Sequence, residues 1–256
     1  MKKTVEEILN TRKSCLPLRP FYAVGCAGLY VVLNVLYRFK RVFHFDPKEM
    51  KGKQVVLISD HSSWTEFWFA VSGYRFAQFS CVVGYHQMFR KFLFWLMLMM
   101  GCIPKRHFEK DLRPVRQMIR VANQGGSLAF FPEGTFSFAG TAQPVNPGTI
   151  GLLKGLGLTV VLCKSYGAFC SRPSYKRHTV SRNYQEYHYE ILFTPEELKE
   201  KTPEELNKKL SERFAYNDFA WNREYRFAYR DREPLIQGAE QLLYRCPQCG
   251  AEFEMY

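Results

Sequence analysis

Apolar residues fall in runs whose length and period change along the chain. Phe21 to Phe39 is nineteen residues in which only Asn34 and Arg38 are strongly polar. That is close to the roughly 20 residues needed to cross a bilayer. Basic residues precede it (Lys2, Lys3, Arg12, Lys13, Arg19) and follow it (Arg38, Lys40, Arg41), so flanking charge sets no crossing direction. No small-residue cleavage site follows, as a secretory leader would require. A helix is expected here that spans a membrane, dips into one leaflet or is buried in a core. Same-sign flanks favour staying on one side. Residues 1–45 form an N-terminal basic segment with this membrane-associated helix.

Beyond residue 46 short apolar runs alternate with helical patterns. Gln54–Ser59, Phe79–Gly84, Ser127–Phe131, Leu158–Cys163 and Tyr187–Phe193 read as strands. Phe67–Phe76, Leu112–Asn123 and Gly148–Gly155 read as helices, as does Phe89–Met100, which is too short to span a membrane. Strands alternating with helices predict an α/β fold with a largely parallel sheet over 46–195. Thr194-Pro-Glu-Glu and Thr202-Pro-Glu-Glu each combine an N-cap threonine, a proline in the first turn and a glutamate at the third position. They open a helical extension over 196–241. A Cys-x-x-Cys tail occupies 242–256.

Composition narrows the picture. Hydrophobic residues at 46% against 23% charged exclude wholesale disorder. The formal net charge of +12 favours anionic partners, and 16% aromatic residues beside that charge suit an anionic membrane surface. The cations are spread along the chain and no nucleic-acid motif appears, so nucleic acid is not expected. Six of the eight cysteines stand singly, mostly in apolar runs, which implies reduced core thiols and a cytosol-facing location. Cys246 and Cys249 alone sit at metal-ligand spacing. A structural zinc needs four ligands, so the other two come from elsewhere, or the ribbon is incomplete and metal-free.

Three segments could carry chemistry. Ser59-Asp60-His61-Ser62-Ser63-Trp64-Thr65-Glu66 lies where a strand gives way to a helix, the end at which open α/β sheets bind ligands. His61 and Glu66 would stand about 140° apart on one helix. They can meet only if His61 sits in the preceding turn and Glu66 in the first turns, leaving one imidazole nitrogen as a base. A surface histidine beside a capping serine is the plainer alternative. Phe130 to Ser137 places Glu133, Gly134 and Thr135 in a loop after a strand, where the plain reading is a simple connection. Gly101 to His107 carries Lys105 and Arg106, which suit a phosphate or form a solvated basic turn.

In this order and spacing the three segments resemble the glycerolipid acyltransferase family, typified by 1-acylglycerol-3-phosphate acyltransferase. The resemblance covers roughly residues 20–195, with Phe-Pro-Glu-Gly-Thr its most specific block. It implies a parallel sheet flanked by helices and acyl transfer in phospholipid biosynthesis, at the cytoplasmic face of the cell membrane. The donor would be an acyl carrier protein thioester (acyl-ACP) or acyl-CoA, and the acceptor a hydroxyl of a lysophospholipid. His61 would be the general base and Glu66 its orienting acid. Ser63 would support the loop, Lys105 and Arg106 would hold phosphate, and Glu133, Gly134 and Thr135 would shape the acceptor pocket. No cofactor is required, and zinc at Cys246 and Cys249 would be structural. An acyl tunnel is expected among Trp64, Phe67, Phe69, Phe94 and Trp95, with ordinary core as the equal alternative.

The chain departs from the family pattern at four places. Glu66 replaces Asp, Asp60 replaces Asn, and the late strand lacks its Pro. Phe136 replaces the Arg of Phe-Pro-Glu-Gly-Thr-Arg-Ser and removes one phosphate-binding cation. Glu66 and Phe136 keep open a catalytically degenerate lipid- or carrier-binding protein. If a phosphate-bearing acceptor is used, Phe136→Arg should lower its KM; unchanged acceptor preference in a steady-state comparison would refute this reading of position 136.

Overall fold

The computed structural model describes residues 4–12, 15–63, 66–89, 91–106, 109, 111–176, 183–228, 238–241, 244–246 and 248–252. Helix α1 (Val5–Thr11) is opened by a capping box between Thr4 and Glu7. Helix α2 (Arg19–Leu36) covers most of the apolar N-terminal run. The helix expected to reach Phe39 stops at Leu36, and Arg38–Phe43 is a strand, β1. The apolar run overlaps β1 only at Arg38 and Phe39, so hydrophobicity alone does not mark the residue at which the helix ends. Its parallel register with Tyr184–Tyr189 of β7 (Tyr184–Phe193) selects extended backbone.

The sheet is completed by β2 (Val55–Ser59), β3 (Phe79–Gly84), β4 (Ile103–Lys105), β5 (Ser127–Phe130) and β6 (Thr159–Tyr166). Among the described residues its order is β1-β7-β6-β2-β5-β3-β4. Every pairing is parallel except that between β6 and β7. The carboxyl ends of β2 to β6 therefore share one edge, which also receives the start of β7. Helices α3 (Glu66–Gly73), α4 (Lys91–Met99), α5 (Arg113–Asn123), α6 (Thr149–Leu156) and α7 (Ala168–Ser171) fill the connections. The two threonine capping boxes open α8 (Pro195–Glu200) and α9 (Pro203–Phe214), as expected. The chain then forms α10 (Asp218–Tyr225), a helix its Tyr- and Arg-dense sequence does not announce.

Alternation along the central strands divides two cores. Val55, Leu57, Val161 and Cys163 face Tyr22, Leu33, Phe69 and Phe94 on the side of α2, α3 and α4. Val56, Ile58, Val160 and Leu162 face Met118, Val121, Leu153, Leu206, Leu210 and Phe214 on the side of α5, α6 and α9. The helical extension thus shares the second core with the sheet. Burying one such side chain contributes roughly 1.5–3 kcal/mol. Cys15, Cys81, Cys102 and Cys163 are buried free thiols, in line with the reduced-core reading.

The N-terminal segment is tied to α4. The Arg12 guanidinium donates to the carbonyl of Leu98 in the last turn of α4 and to that of Cys102 just beyond it, both at 2.7 Å. Gly101 makes the next turn with φ +75°, and a Cβ there would fall 2.5 Å from the Cys15 carbonyl oxygen. Only glycine meets both demands.

Candidate active site

His61 lies in the turn after β2, and Glu66 is the first residue of α3. This is the arrangement their five-residue separation required. Imidazole Nδ1 is hydrogen-bonded to Glu66 Oε1. The second carboxylate oxygen, Oε2, accepts from the Ser62 N–H, from Ser62 Oγ at 2.7 Å and from the Ser63 N–H at 2.9 Å. Glu66 is fully buried while the His61 side chain keeps 18% of its surface exposed. Burial and the nearby Asp60 charge raise the Glu66 pKa well above the usual range, and the Ser62 and Ser63 donors oppose them.

The loop after β5 closes over this pair. The Glu133 carboxylate accepts the His61 backbone N–H and the Gln143 N–H, each at 3.0 Å. Ser137 donates its N–H to the His61 carbonyl at 2.7 Å. Gly134 adopts φ +75° in open surroundings, so its backbone angle rather than space requires glycine. Thr135 is half-buried beside it. Phe131 stacks on the imidazole at 4.2 Å between centroids, and Phe136 lies on it at 3.8 Å. Position 136 therefore supplies a wall of the histidine pocket. Phe136→Arg would remove that wall as well as add a cation, so kcat must be read apart from KM.

Asp60 completes a group of buried acids. It accepts the Ser165 N–H at 2.7 Å and the Ser165 hydroxyl, and that hydroxyl lies 2.8 Å from Ser62 Oγ. Burial pushes the Asp60 pKa up to about 6, against the Ser165 donors. Burial, then the Asp60 charge, pushes Glu133 up to about 8. Sequence reasoning missed Ser62, Ser165 and the role of Ser137 in holding the loop. Ser62 was legible from its place between His61 and Glu66. Ser165 was not, because only strand pairing brings β6 beside β2.

Lys105 and Arg106 lie at the same sheet edge but at the end of β4, three strands from β2 or about 14 Å at ordinary strand spacing. Lys105 is exposed. Arg106 pairs with Glu6 at 3.0 Å and Glu109 at 3.3 Å, and lies 4.7 Å over the Tyr85 ring. Of the four described tunnel candidates, Phe69 and Phe94 belong to one buried core with Phe67 packed against it, while Trp95 stands outside it. Phe69 is core, enclosed by Tyr37, Phe39 and Tyr187. Phe94 is buried, Phe67 is partly buried, and Trp95 is 61% exposed. Trp64 lies outside the described residues.

Cys246 and Cys249 lie in a tight turn closed by the Gly250 N–H to Cys246 carbonyl bond at 2.9 Å. Hydrogen bonds from the Cys249 and Gln248 backbone and from Cys249 lower the Cys246 pKa, which favours the metal-binding thiolate. Two thiols are half of a structural zinc set, and among the described residues no third His, Cys, Asp or Glu joins them.

Residues 40–164 match the family model described as acyltransferase. The fold is similar to the crystal structure of the 1-acyl-sn-glycerophosphate acyltransferase PlsC from Thermotoga maritima, with a TM-score of 0.60 and 15% identity. That similarity covers 89% of this chain and 83% of that one. No curated protein matches this sequence.

Because the Glu133 pKa rises on folding from 4.5 to about 8, the folded state binds more protons than the unfolded chain between those values. Its favourable contribution to stability is therefore complete below pH 4.5 and lost as pH rises through about 8. Glu133→Gln should flatten the fall in unfolding free energy across that range, as measured by denaturant titration. An undiminished slope would show that other groups cause it.

Proposed function

We propose that this chain, whose residues 40–164 match the acyltransferase family model, is a glycerolipid acyltransferase that transfers a fatty acyl group from acyl-ACP or acyl-CoA to a lysophospholipid hydroxyl. The acceptor would be 1-acyl-glycerol-3-phosphate or a close relative. The observation that carries this reading is the buried Glu66 carboxylate engaged with His61 Nδ1 at the carboxyl edge of the sheet.

With Nδ1 engaged, proton abstraction falls to Nε2. As the acceptor O–H gives up its proton there, its oxygen attacks the thioester carbonyl and forms the new C–O bond. The C–S bond breaks, and the departing thiolate takes the proton from the imidazolium. Glu66 orients the ring and stabilises its transient charge. General-base assistance contributes about 10²–10⁴-fold, and holding both substrates in one cleft supplies a further part. No covalent acyl-enzyme is required.

Arg106 and Lys105 are the cations offered to the acceptor phosphate. The Arg106 ion pairs are largely exposed, and such pairs contribute about 0–1 kcal/mol, so a phosphate dianion could replace them. Zinc at Cys246 and Cys249 would steady the tail and takes no part in the chemistry. Intact geometry around His61 argues against the degenerate binding protein, because Glu66 reaches the ring as an aspartate would.

Helix α2 supports docking on one anionic leaflet at the cytoplasmic face. Val24, Val31, Val32 and Val35 are exposed, as is Leu18 just before the helix. Yet its beginning hydrogen-bonds α4 through Leu18 and Met99, and its end runs directly into β1. Both ends rest on one body, which a helix crossing roughly 30 Å of hydrocarbon could not readily do. The remaining basic residues would face the lipid phosphates.

Two measurements test this reading. Mass spectrometry should find acylated product when the protein receives acyl-CoA or acyl-ACP with 1-acyl-glycerol-3-phosphate, and His61→Ala should cut turnover by about 10²-fold or more. Equal turnover by wild type and His61→Ala would refute the catalytic role. Replacing Val31 and Val35 together by Asp should weaken co-sedimentation with anionic phospholipid vesicles; undiminished binding would refute α2 as the docking face.

A further inference from the structure

We propose that Asp218, on α10 and beyond the family-matching span, is a positioning residue for the His61–Glu66 pair. The proposal rests on the acyl-transfer reading given above. Asp218 is fully buried. Its Oδ1 accepts the Gly167 N–H at 2.9 Å, and its Oδ2 accepts the Phe169 N–H at 2.7 Å and the Cys170 N–H at 3.4 Å. These donors belong to the turn that leaves β6 and to the short helix α7 that follows it.

Two residues before Gly167 stands Ser165, which holds Asp60 and touches the Ser62 hydroxyl. Ser62 in turn donates to Glu66. One line of bonds therefore leads from the Asp218 carboxylate through the end of β6 to the orienting acid.

A second line leaves its backbone. The Asp218 N–H donates to the Gly140 carbonyl at 2.9 Å, the Ala142 N–H donates to the Tyr216 carbonyl at 3.2 Å, and Thr141 bridges to Asn217. Ser137 closes this loop by donating its hydroxyl to the Thr141 carbonyl at 2.7 Å, and its own N–H holds the His61 carbonyl. Both lines end on the catalytic pair, one at each partner.

The fit at the knot is close. Gly140 and Gly167 have φ of +68° and +74°. A Cβ would come 2.7 Å from the Phe169 ring at the first and 2.5 Å from the Tyr184 carbonyl at the second. An asparagine at 218 would offer one acceptor oxygen and turn an NH2 group against backbone N–H groups. The turn after β6 and the loop over His61 would then lose their common anchor. Small misplacements of a catalytic group lower the rate strongly, since a 1 Å error can cost about 10²-fold.

The test is steady-state acyl transfer with acyl-CoA or acyl-ACP and 1-acyl-glycerol-3-phosphate. Wild type, Asp218→Asn, Ser165→Ala, the double variant and His61→Ala are compared, with folded fraction measured by thermal unfolding. Asp218→Asn is expected to lower kcat per folded molecule by about tenfold while both KM values stay within about twofold. Its effect should shrink in the Ser165→Ala background, because one line of bonds is then already cut. Loss confined to folded fraction or to KM, or full additivity with Ser165→Ala, would overturn the proposal. If Asp218→Asn does not fold, Asn217→Ala decides. It removes the bond to the Ala220 N–H and loosens the start of α10 while keeping Asp218. A lowered kcat supports the proposal, and an unchanged kcat overturns it. An inactive wild type would instead overturn the acyl-transfer reading, and this proposal with it.

Discussion

Glu66 loses its hydration on folding, and the rest of the site is arranged around replacing it. A buried carboxylate without donors would be protonated or expelled to solvent. Here the imidazole, one serine hydroxyl and two backbone N–H groups converge on its two oxygens. The donors come from the turn joining β2 to α3, so the charge shapes that turn as much as the turn holds the charge. The histidine is presented at the cleft because its other side is bound.

The same logic extends outward through acids that have little water. Asp60 rests on Ser165, Glu133 on the His61 and Gln143 backbones, and Asp218 on the turn after β6. Burial raises the pKa of Asp60, Glu133, Glu66 and Asp218, while backbone N–H groups pull each of them down. Their partners are mostly backbone groups in turns. Such groups cannot move away from the charge without unmaking the turn, so the cluster resists drift and the imidazole stays where it is needed. Phe131 and Phe136 confine it from the faces of the ring.

Parallel pairing is what brings these parts together. Five strands, β2 to β6, end on one edge, and the chain leaves that edge with His61, Tyr85, Arg106, Glu133 and Gly167 in turn. The proposed reaction, which joins a thioester and a head group, would need a base and cations at separate points along one cleft. Strands about 4.8 Å apart supply that spacing without any special loop. The apolar helix α2 belongs to the same body and runs directly into β1, which fits the membrane docking proposed above.

Much of this was legible in residue order. Periods of two and of 3.6 set strands apart from helices, the two Thr-Pro-Glu-Glu starts marked α8 and α9, and five-residue spacing limited how His61 and Glu66 could meet. These are local properties, written within a few residues by backbone geometry and side-chain reach. The boundary between α2 and β1 was not local: the apolar run continues to Phe39, past the end of α2, and pairing with β7 decides where helix gives way to strand. Ser165 and Asp218 were silent for the same reason. A serine inside a strand and an aspartate after a helix carry no signal until β6 lies beside β2 and α10 folds back over Gly140 and Gly167. Sequence determined the elements and the chemistry they could carry. Only tertiary structure decided which buried acid found which donor, because that depends on contacts between segments as much as 105 residues apart.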